Sequence, residues 1–182
     1  MIGYDFDKTI YDGDSFIDFY KYCLLKRAYL LLYLPFQLCL LLLTCYSRKY
    51  MKQTFASFLL FIGKKEKLIE GFWNKNMSKV KDFYFRQKRD DDIIISASPS
   101  FLLIPICKRI GIKNCIATNM DVRTGIIKGK NCRGMQKVIE FKKAFPKDSL
   151  LAYFGDSKSD LYMISFAKYG YYVKGHYITQ IK

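Results

Sequence analysis

Residues 1–15 read MIGYDFDKTIYDGDS, and the fold turns on how that stretch is parsed. Met1 to Phe6 is a short, mostly apolar run that passes into DFDKT, and YDGDS then supplies turn and helix-start residues. An apolar run giving way to a polar loop reads as a buried strand that delivers Asp5 and Asp7 at its end. The same plan returns twice. DDDIIISASPS at 90–100 runs from charge through apolar residues to Ser96, with Pro99 opening a helix, and LLAYFGDSKSD at 150–160 ends on Asp156 and Asp160. Between them the pattern predicts a strand at Cys115 to Thr118, a hairpin around Thr124 to Lys130, and a helix from about Gly134 to Phe145 with Lys137 near its start. A helix to about Lys168 and a terminal strand at Tyr171 to Val173 complete the chain. Strands alternating with helices predict an α/β fold with a Rossmann-like parallel sheet, right-handed crossovers and both faces covered. In such sheets ligands sit beyond the carboxyl ends of the strands, where Asp5, Asp7, Ser96, Asp156 and Asp160 all fall.

One block breaks the alternation. From Ser15, where S-x-x-D at Ser15 and Asp18 offers a start signal, the pattern stays helical as far as Arg89, through Thr54 to Ile62, Lys64 to Met77 and Ser78 to Arg89. We therefore expect a core of residues 1–13 and 90–182, with residues 14–89 inserted as a helical cap. Within the cap, Ala28 to Ser47 carries no charge and contains LLLYLPFQLCLLLL, between Lys26 and Arg27 on one side and Arg48, Lys49 and Lys52 on the other.

Composition narrows the chemistry. Lysine and arginine number 31 against 16 acidic residues, a net charge of +15, yet 51% hydrophobic and 17% aromatic content is too apolar for a solvated tail. The single histidine, His176, removes most histidine-based catalysis, including an H-E-x-x-H zinc site and a triad of two histidines with a carboxylate. Cys23, Cys39, Cys45, Cys107, Cys115 and Cys132 form no C-x-x-C pair and read as reduced thiols. The acidic, polar N-terminus lacks the features of a cleavable signal, so the chemistry is expected to face the cytoplasm. Catalysis must then rest on carboxylates, lysine, hydroxyls or thiols.

These residues resemble the haloacid dehalogenase superfamily of phosphohydrolases. DFDKT at 5–9 matches its D-x-D-x-T motif, Ser96 its hydroxyl motif, Lys137 its lysine motif, and GDSKSD at 155–160 its G-D-x-x-x-D motif, all in order. The resemblance implies a magnesium-dependent phosphatase. In it Asp5 is the nucleophile that forms an aspartyl phosphate and binds Mg2+, and Asp7 is the general acid and base whose main-chain carbonyl also binds the metal. It further implies that Asp156 is the third metal ligand, that Ser96, the Ala97 amide and Lys137 hold the phosphoryl oxygens, that Asp160 orients Lys137 or a metal-bound water, and that Thr9 braces the first loop. Asp14 lies where amino-substrate phosphatases of this group place a carboxylate that reads the amine, and it is also an ordinary N-cap ahead of Ser15, the reading we prefer. Lys8 stands where glycine is frequent in the first motif.

The helical insertion after the first motif is similar to that of phosphoserine phosphatase and the class C phosphatidylglycerophosphate phosphatases. SASP at 96–99 and NCRGMQK at 131–137 look more like the latter, which implies a lipid phosphate substrate. A soluble ester such as phosphoserine or a sugar phosphate is the alternative, and a non-catalytic basic docking module a third. About twenty uncharged residues at ~1.5 Å each reach roughly 30 Å. A single crossing would strand Asp5 and Asp7 opposite Ser96, Lys137 and Asp156. The segment is therefore expected to dip into a membrane with a bend near Pro35, to lie along its surface, or to pack within the cap. Its basic flanks favour an anionic membrane surface, at the inner face, as partner. Nothing resembles a base-stacking motif, so no nucleic-acid partner is expected.

Overall fold

A computed structural model describes all 182 residues. Six strands, β1 (Ile2–Tyr4), β2 (Ile93–Pro99), β3 (Asn114–Thr118), β4 (Ala152–Gly155), β5 (Tyr169–Lys174) and β6 (Tyr177–Gln180), form one sheet in the order β3-β2-β1-β4-β5-β6. All pairings are parallel except β5 with β6. The helices are α1 (Ser15–Lys26), α2 (Leu30–Thr44), α3 (Arg48–Ala56), α4 (Lys65–Asn76), α5 (Asp82–Gln87), α6 (Ser100–Arg109), α7 (Met135–Ala144) and α8 (Leu161–Phe166). The first five lie between β1 and β2 in the chain.

The run IIIS works because this strand is covered on both faces, so every isoleucine is buried and successive residues feed different cores. Ile94 joins a large cluster shared with the inserted helices, while Ile93 and Ile95 pack with Val138 and Phe141 of α7 and Met163 and Ile164 of α8. In β4 the same alternation sends Phe154 to the first cluster and Tyr153 to the second. The central strand is further fixed by Tyr4, whose ring stacks on Phe154 at 4.9 Å.

Several expectations need correction. Asp14 is the N-cap of α1, the reading preferred for it, and its carboxylate accepts from the amides of Phe16 (3.1 Å) and Ile17 (3.0 Å), so Ser15 does not start the helix as its cap. Asp18 is not the capping partner of Ser15. It pairs with Lys79 at 2.8 Å and accepts from the Tyr11 hydroxyl at 3.0 Å. Ser78 to Arg89 is not one helix: a 3₁₀ turn at Met77–Lys79 leads into Val80, which bridges to Tyr11, before α5 begins. Thr54 to Ile62 divides between the end of α3 and a 3₁₀ turn, Ser57–Phe61. The hairpin expected at Thr124 to Lys130 is a loop closed by one bridge, Met120 to Ile127. The terminal strand is longer than Tyr171 to Val173 and gains β6 as a hairpin partner.

The uncharged segment 28–47 is also shorter as a helix than as a sequence. Helix α2 has 15 residues, about 22 Å at ~1.5 Å per residue, and the chain turns at Cys45–Ser47 into α3. No helix is long and apolar enough to cross a membrane. Pro35 sits inside α2 without dividing it. Its buried residues are Leu30 and Gln37, not the leucine run. Gln37 accepts from the Tyr20 hydroxyl at 2.5 Å and donates to the carbonyls of Thr54 (3.2 Å) and Phe55 (2.8 Å), tying α2 to α1 and α3. Leu32, Leu42 and Leu43 are 86%, 75% and 71% exposed, so the apolar face points away from the protein.

Candidate active site

The loop after β1 carries the first two carboxylates. The Asp5 amide continues the parallel pairing by donating to the Phe154 carbonyl at 2.8 Å, which fixes where its buried side chain emerges. Beyond it the chain turns through Lys8 at φ 57°, a left-handed conformation uncommon for a residue with a side chain. Lys81, from the start of α5, holds that turn by donating to the carbonyls of Lys8 (2.8 Å) and Gly175 (2.7 Å). Asp7 thereby reaches α1, where its Oδ1 accepts from the Ser15 amide at 2.7 Å, and its Oδ2 accepts from the Ser98 hydroxyl.

Ser98 reaches Asp7 because β2 is irregular at its end. Its register with β3 shifts between Ser96 and Pro99, so Ala97 and Ser98 bulge toward the β1 loop. The buried Ser96 hydroxyl accepts from the Ser98 amide at 3.2 Å. Burial, reinforced by Asp14, pushes the Asp7 carboxyl up to about 7, with its two donors only partly offsetting the shift.

Lys137 enters from α7. Gly134 precedes that helix at φ 60° and ψ −133°, a combination that glycine alone adopts without strain, and it sets the first turn that points Lys137 inward. The Lys137 ammonium is buried, 2.6 Å from Asp160 Oδ1, 3.0 Å from Asp5 Oδ1 and 3.1 Å from the Tyr153 hydroxyl. Burial works against its charge, but Asp5, Tyr153 and Asp160 outweigh burial and hold its pKa well above the ordinary lysine value. Asp160 is fully engaged, since its Oδ2 also accepts from the Ser157 amide (3.1 Å) and hydroxyl (2.5 Å). A Cβ on Gly155 would lie 2.4 Å from the Asp160 Cβ, which explains the glycine that starts GDSKSD.

Carboxylate oxygens of Asp5, Asp156 and Asp160 lie within 4.8 Å of one another. Burial first, and then mutual repulsion with Asp5 and Asp160, raises Asp156 to about 7, and burial raises Asp5 as well. Asp5 Oδ1 has the charge of Lys137 nearby but no aligned hydrogen-bond donor. Carboxylates forced together in this way, with one buried oxygen lacking a donor, fit a hard divalent cation that takes oxygen ligands. Asp160 is spent on Lys137 and Ser157, which leaves Asp5 and Asp156 as the available carboxylates. The carboxylate of Asp7 stands outside this cluster. Thr9 is buried with its hydroxyl unpartnered, so it supports the loop by packing and not by a hydrogen bond.

Asp5, Asp7, Asp14, Ser96, Ala97, Lys137 and Asp156 all line one cavity of about 530 Å³. Its roof holds residues that sequence reasoning missed. Arg48, Met51, Lys52 and Phe55 of α3 and Arg133 from the loop before α7 also face it. Lys52 donates to the Ala97 carbonyl and, at 3.1 Å, to Asn131 Oδ1. The sequence showed Arg48 and Lys52 only as basic flanks of the apolar segment and Arg133 only as part of NCRGMQK, because the turn between α2 and α3 that brings α3 over the strand ends is not visible in it.

The model for haloacid dehalogenase-like hydrolases matches residues 2–165. Protein CicA from Caulobacter vibrioides is 33% identical over 89 residues, which is 46% of this chain and 40% of the length of CicA. In fold, a protein of unknown function from Bordetella pertussis Tohama I superposes with a TM-score of 0.75 at 16% identity, covering 93% of this chain and 87% of that one. A phosphoserine phosphatase in its apo form superposes with a TM-score of 0.60 at 14% identity, covering 93% and 83%. At these identities the two structures speak for the fold, and the match over residues 2–165 speaks for descent. The chain belongs to the haloacid dehalogenase-like hydrolase family.

Proposed function

We propose that this protein is a phosphomonoesterase that works through an aspartyl phosphate on Asp5. The observation that carries the reading is the pairing of Asp5 with the Lys137 ammonium at 3.0 Å, with Asp7, raised to about 7, at the same cavity. A phosphate monoester placed over Asp5 would meet Lys137, Ser96 and the Ala97 amide as partners for its oxygens. An Asp5 carboxylate oxygen attacks phosphorus while the bond to the ester oxygen breaks, and Asp7 gives its proton to that leaving oxygen. Asp7, now ionised, takes a proton from a water that attacks the phosphoryl group on Asp5, releasing inorganic phosphate and restoring the Asp5 carboxylate and the protonated Asp7. Asp160 keeps Lys137 oriented throughout. Asp5, Asp156 and the main-chain carbonyl of Asp7 would hold Mg2+, which when bound supplies positive charge for the phosphoryl oxygens.

In this reading residues 1–13 and 90–182 are the catalytic core and residues 14–89 the cap that selects substrate. A lipid phosphate such as phosphatidylglycerophosphate is the proposed substrate class, because Phe16, Leu41, Met51 and Phe55 give the cap side of the cavity an apolar wall. The exposed leucines of α2, flanked by Lys26, Arg27, Arg48 and Lys49, would rest on an anionic membrane surface at its cytoplasmic face. A soluble substrate is the second reading. It is favoured by the likeness in fold to phosphoserine phosphatase and by Asp14 at the cavity.

Phosphate release from paired lipid phosphates, phosphoserine and sugar phosphates, with Mg2+ or with chelator, decides between them. Metal-dependent release that prefers the lipids, and that Asp5→Asn abolishes, is the expected result. Preference for soluble esters selects the second reading, and undiminished release by Asp5→Asn overturns the mechanism.

A further inference from the structure

The chemistry assigned above uses one cation, Lys137, yet the same cavity is also lined by Lys8 in the loop after β1 and by a group of three more: Arg48 and Lys52 from α3, and Arg133 from the loop before α7. None of the three forms an ion pair with a carboxylate. Lys52 is held by neutral oxygens, the Ala97 carbonyl and Asn131 Oδ1. Burial is the main reason its pKa falls to about 8, with the carboxylates of Asp7 and Asp14 opposing the fall and the charge of Arg133 adding to it. Lys52 is half-buried and Arg48 and Arg133 stand exposed at its side, so this wall offers positive charge to an anion that enters the cavity.

The segments that carry these cations are joined to one another. Helix α3 is clasped to the loop that carries Arg133, through Lys49 to the Gly129 carbonyl (3.0 Å) and the Ile127 amide to Gln53 Oε1 (2.9 Å). Arg48, Lys52 and Arg133 therefore belong to one wall. Beside them Leu41, Met51 and Phe55 continue it as apolar surface.

We propose that Arg48, Lys52 and Arg133 form a second anion subsite, so that the preferred substrate is a phosphate monoester bearing a further anionic group. This rests on the phosphatase reading for the position of the scissile phosphate. The recognised chemistry is a second phosphate or carboxylate, and Leu41, Met51 and Phe55 would take the apolar body attached to it. Arginine suits such a group because its guanidinium meets two oxygens at once.

Binding separates the subsite from turnover. Affinities for the inactive Asp5→Asn protein are measured by calorimetry with two matched pairs. Short-chain phosphatidylglycerophosphate is set against short-chain phosphatidic acid, and 3-phosphoglycerate against glycerol 3-phosphate. The doubly anionic member of at least one pair is expected to bind about tenfold more tightly, the scale of one charge-assisted contact pair. The pair that shows the preference identifies the source of the anion, lipid or soluble. Adding Arg48→Gln, or separately Arg133→Gln, both at exposed positions, should remove most of that preference. Lys52→Met should do the same, with its melting temperature compared to confirm folding. Equal affinity within both pairs, or equal weakening of both members by every variant, overturns the subsite. If wild type releases no phosphate while the preference and its loss persist, the phosphatase reading fails and the subsite stands.

Discussion

Lys137 and Asp160 form a buried ion pair at 2.6 Å in which neither side chain has appreciable contact with solvent. Such a pair is weak evidence of net stabilisation, but removing one partner strands the other charge. Here Lys137 also faces Asp5, so its loss would leave two buried carboxylates unneutralised. Lys137→Met, which keeps the bulk, should lower the unfolding free energy of the metal-free protein by about 3–5 kcal/mol near neutral pH. The loss should shrink in acid, where the carboxylates take up protons. Denaturant titrations at both pH values test this, and a loss below about 1 kcal/mol would show that the pair is not holding the site together.

The crowded carboxylates predict a pH-dependent response to metal. Asp7 and Asp156 are raised to about 7, against ~4 for a carboxylate in the unfolded chain. Between those values the folded protein binds more protons than the unfolded chain, so stability of the metal-free protein falls as pH rises through that window. Mg2+ replaces protons at this cluster, so its gain in melting temperature should be larger at about pH 8 than at about pH 5. Asp156→Asn should raise the metal-free melting temperature at the higher pH and remove most of the gain. Thermal melts with Mg2+ or chelator give the answer, and a gain independent of pH would count against the cluster as the cation's seat.

Helix α2 reverses the usual pattern, with its glutamine inside and its leucines outside. Replacing Leu32, Leu42 and Leu43 together by glutamine should leave the melting temperature within a few degrees and abolish flotation with anionic vesicles. Gln37→Leu makes the helix more apolar, yet it should destabilise by about 1–3 kcal/mol, because the Tyr20 hydroxyl and the Thr54 and Phe55 carbonyls lose their partner. Undiminished flotation of the triple variant would show that the leucine face of α2 is not what meets the membrane, and wild type that does not float would remove the membrane from the account.

The strand ends were legible because each couples a short apolar run to a polar loop, and that local contrast survives in one dimension. Asp5, Ser96 and Asp156 could be placed in this way, and Lys137 by its position near the start of α7. Ser98 could not, since its contact with Asp7 depends on the bulge after Ser96. Arg48 and Lys52 were equally hidden, because a charged residue on a short helix looks solvated until the turn after α2 folds it over the cavity, and Arg133 sits in a loop whose path no local pattern reveals. The β6 strand was missed because Tyr177–Gln180 is exposed throughout and its sequence has no buried face to alternate against. Length misled in α2, where twenty uncharged residues became 15 helical residues and a turn.

The claim that stands above the rest is that Asp5 carries the phosphoryl group. Wild-type protein turning over its best substrate with Mg2+ should be quenched in acid within milliseconds, digested, and the peptide containing Asp5 weighed. The account predicts a fraction of that peptide heavier by one phosphoryl group, absent from Asp5→Asn and accumulating in Asp7→Asn if breakdown is slowed more than formation. Steady release of phosphate with no phosphorylated peptide at any quench time, and with Asp5→Asn still active, would contradict it.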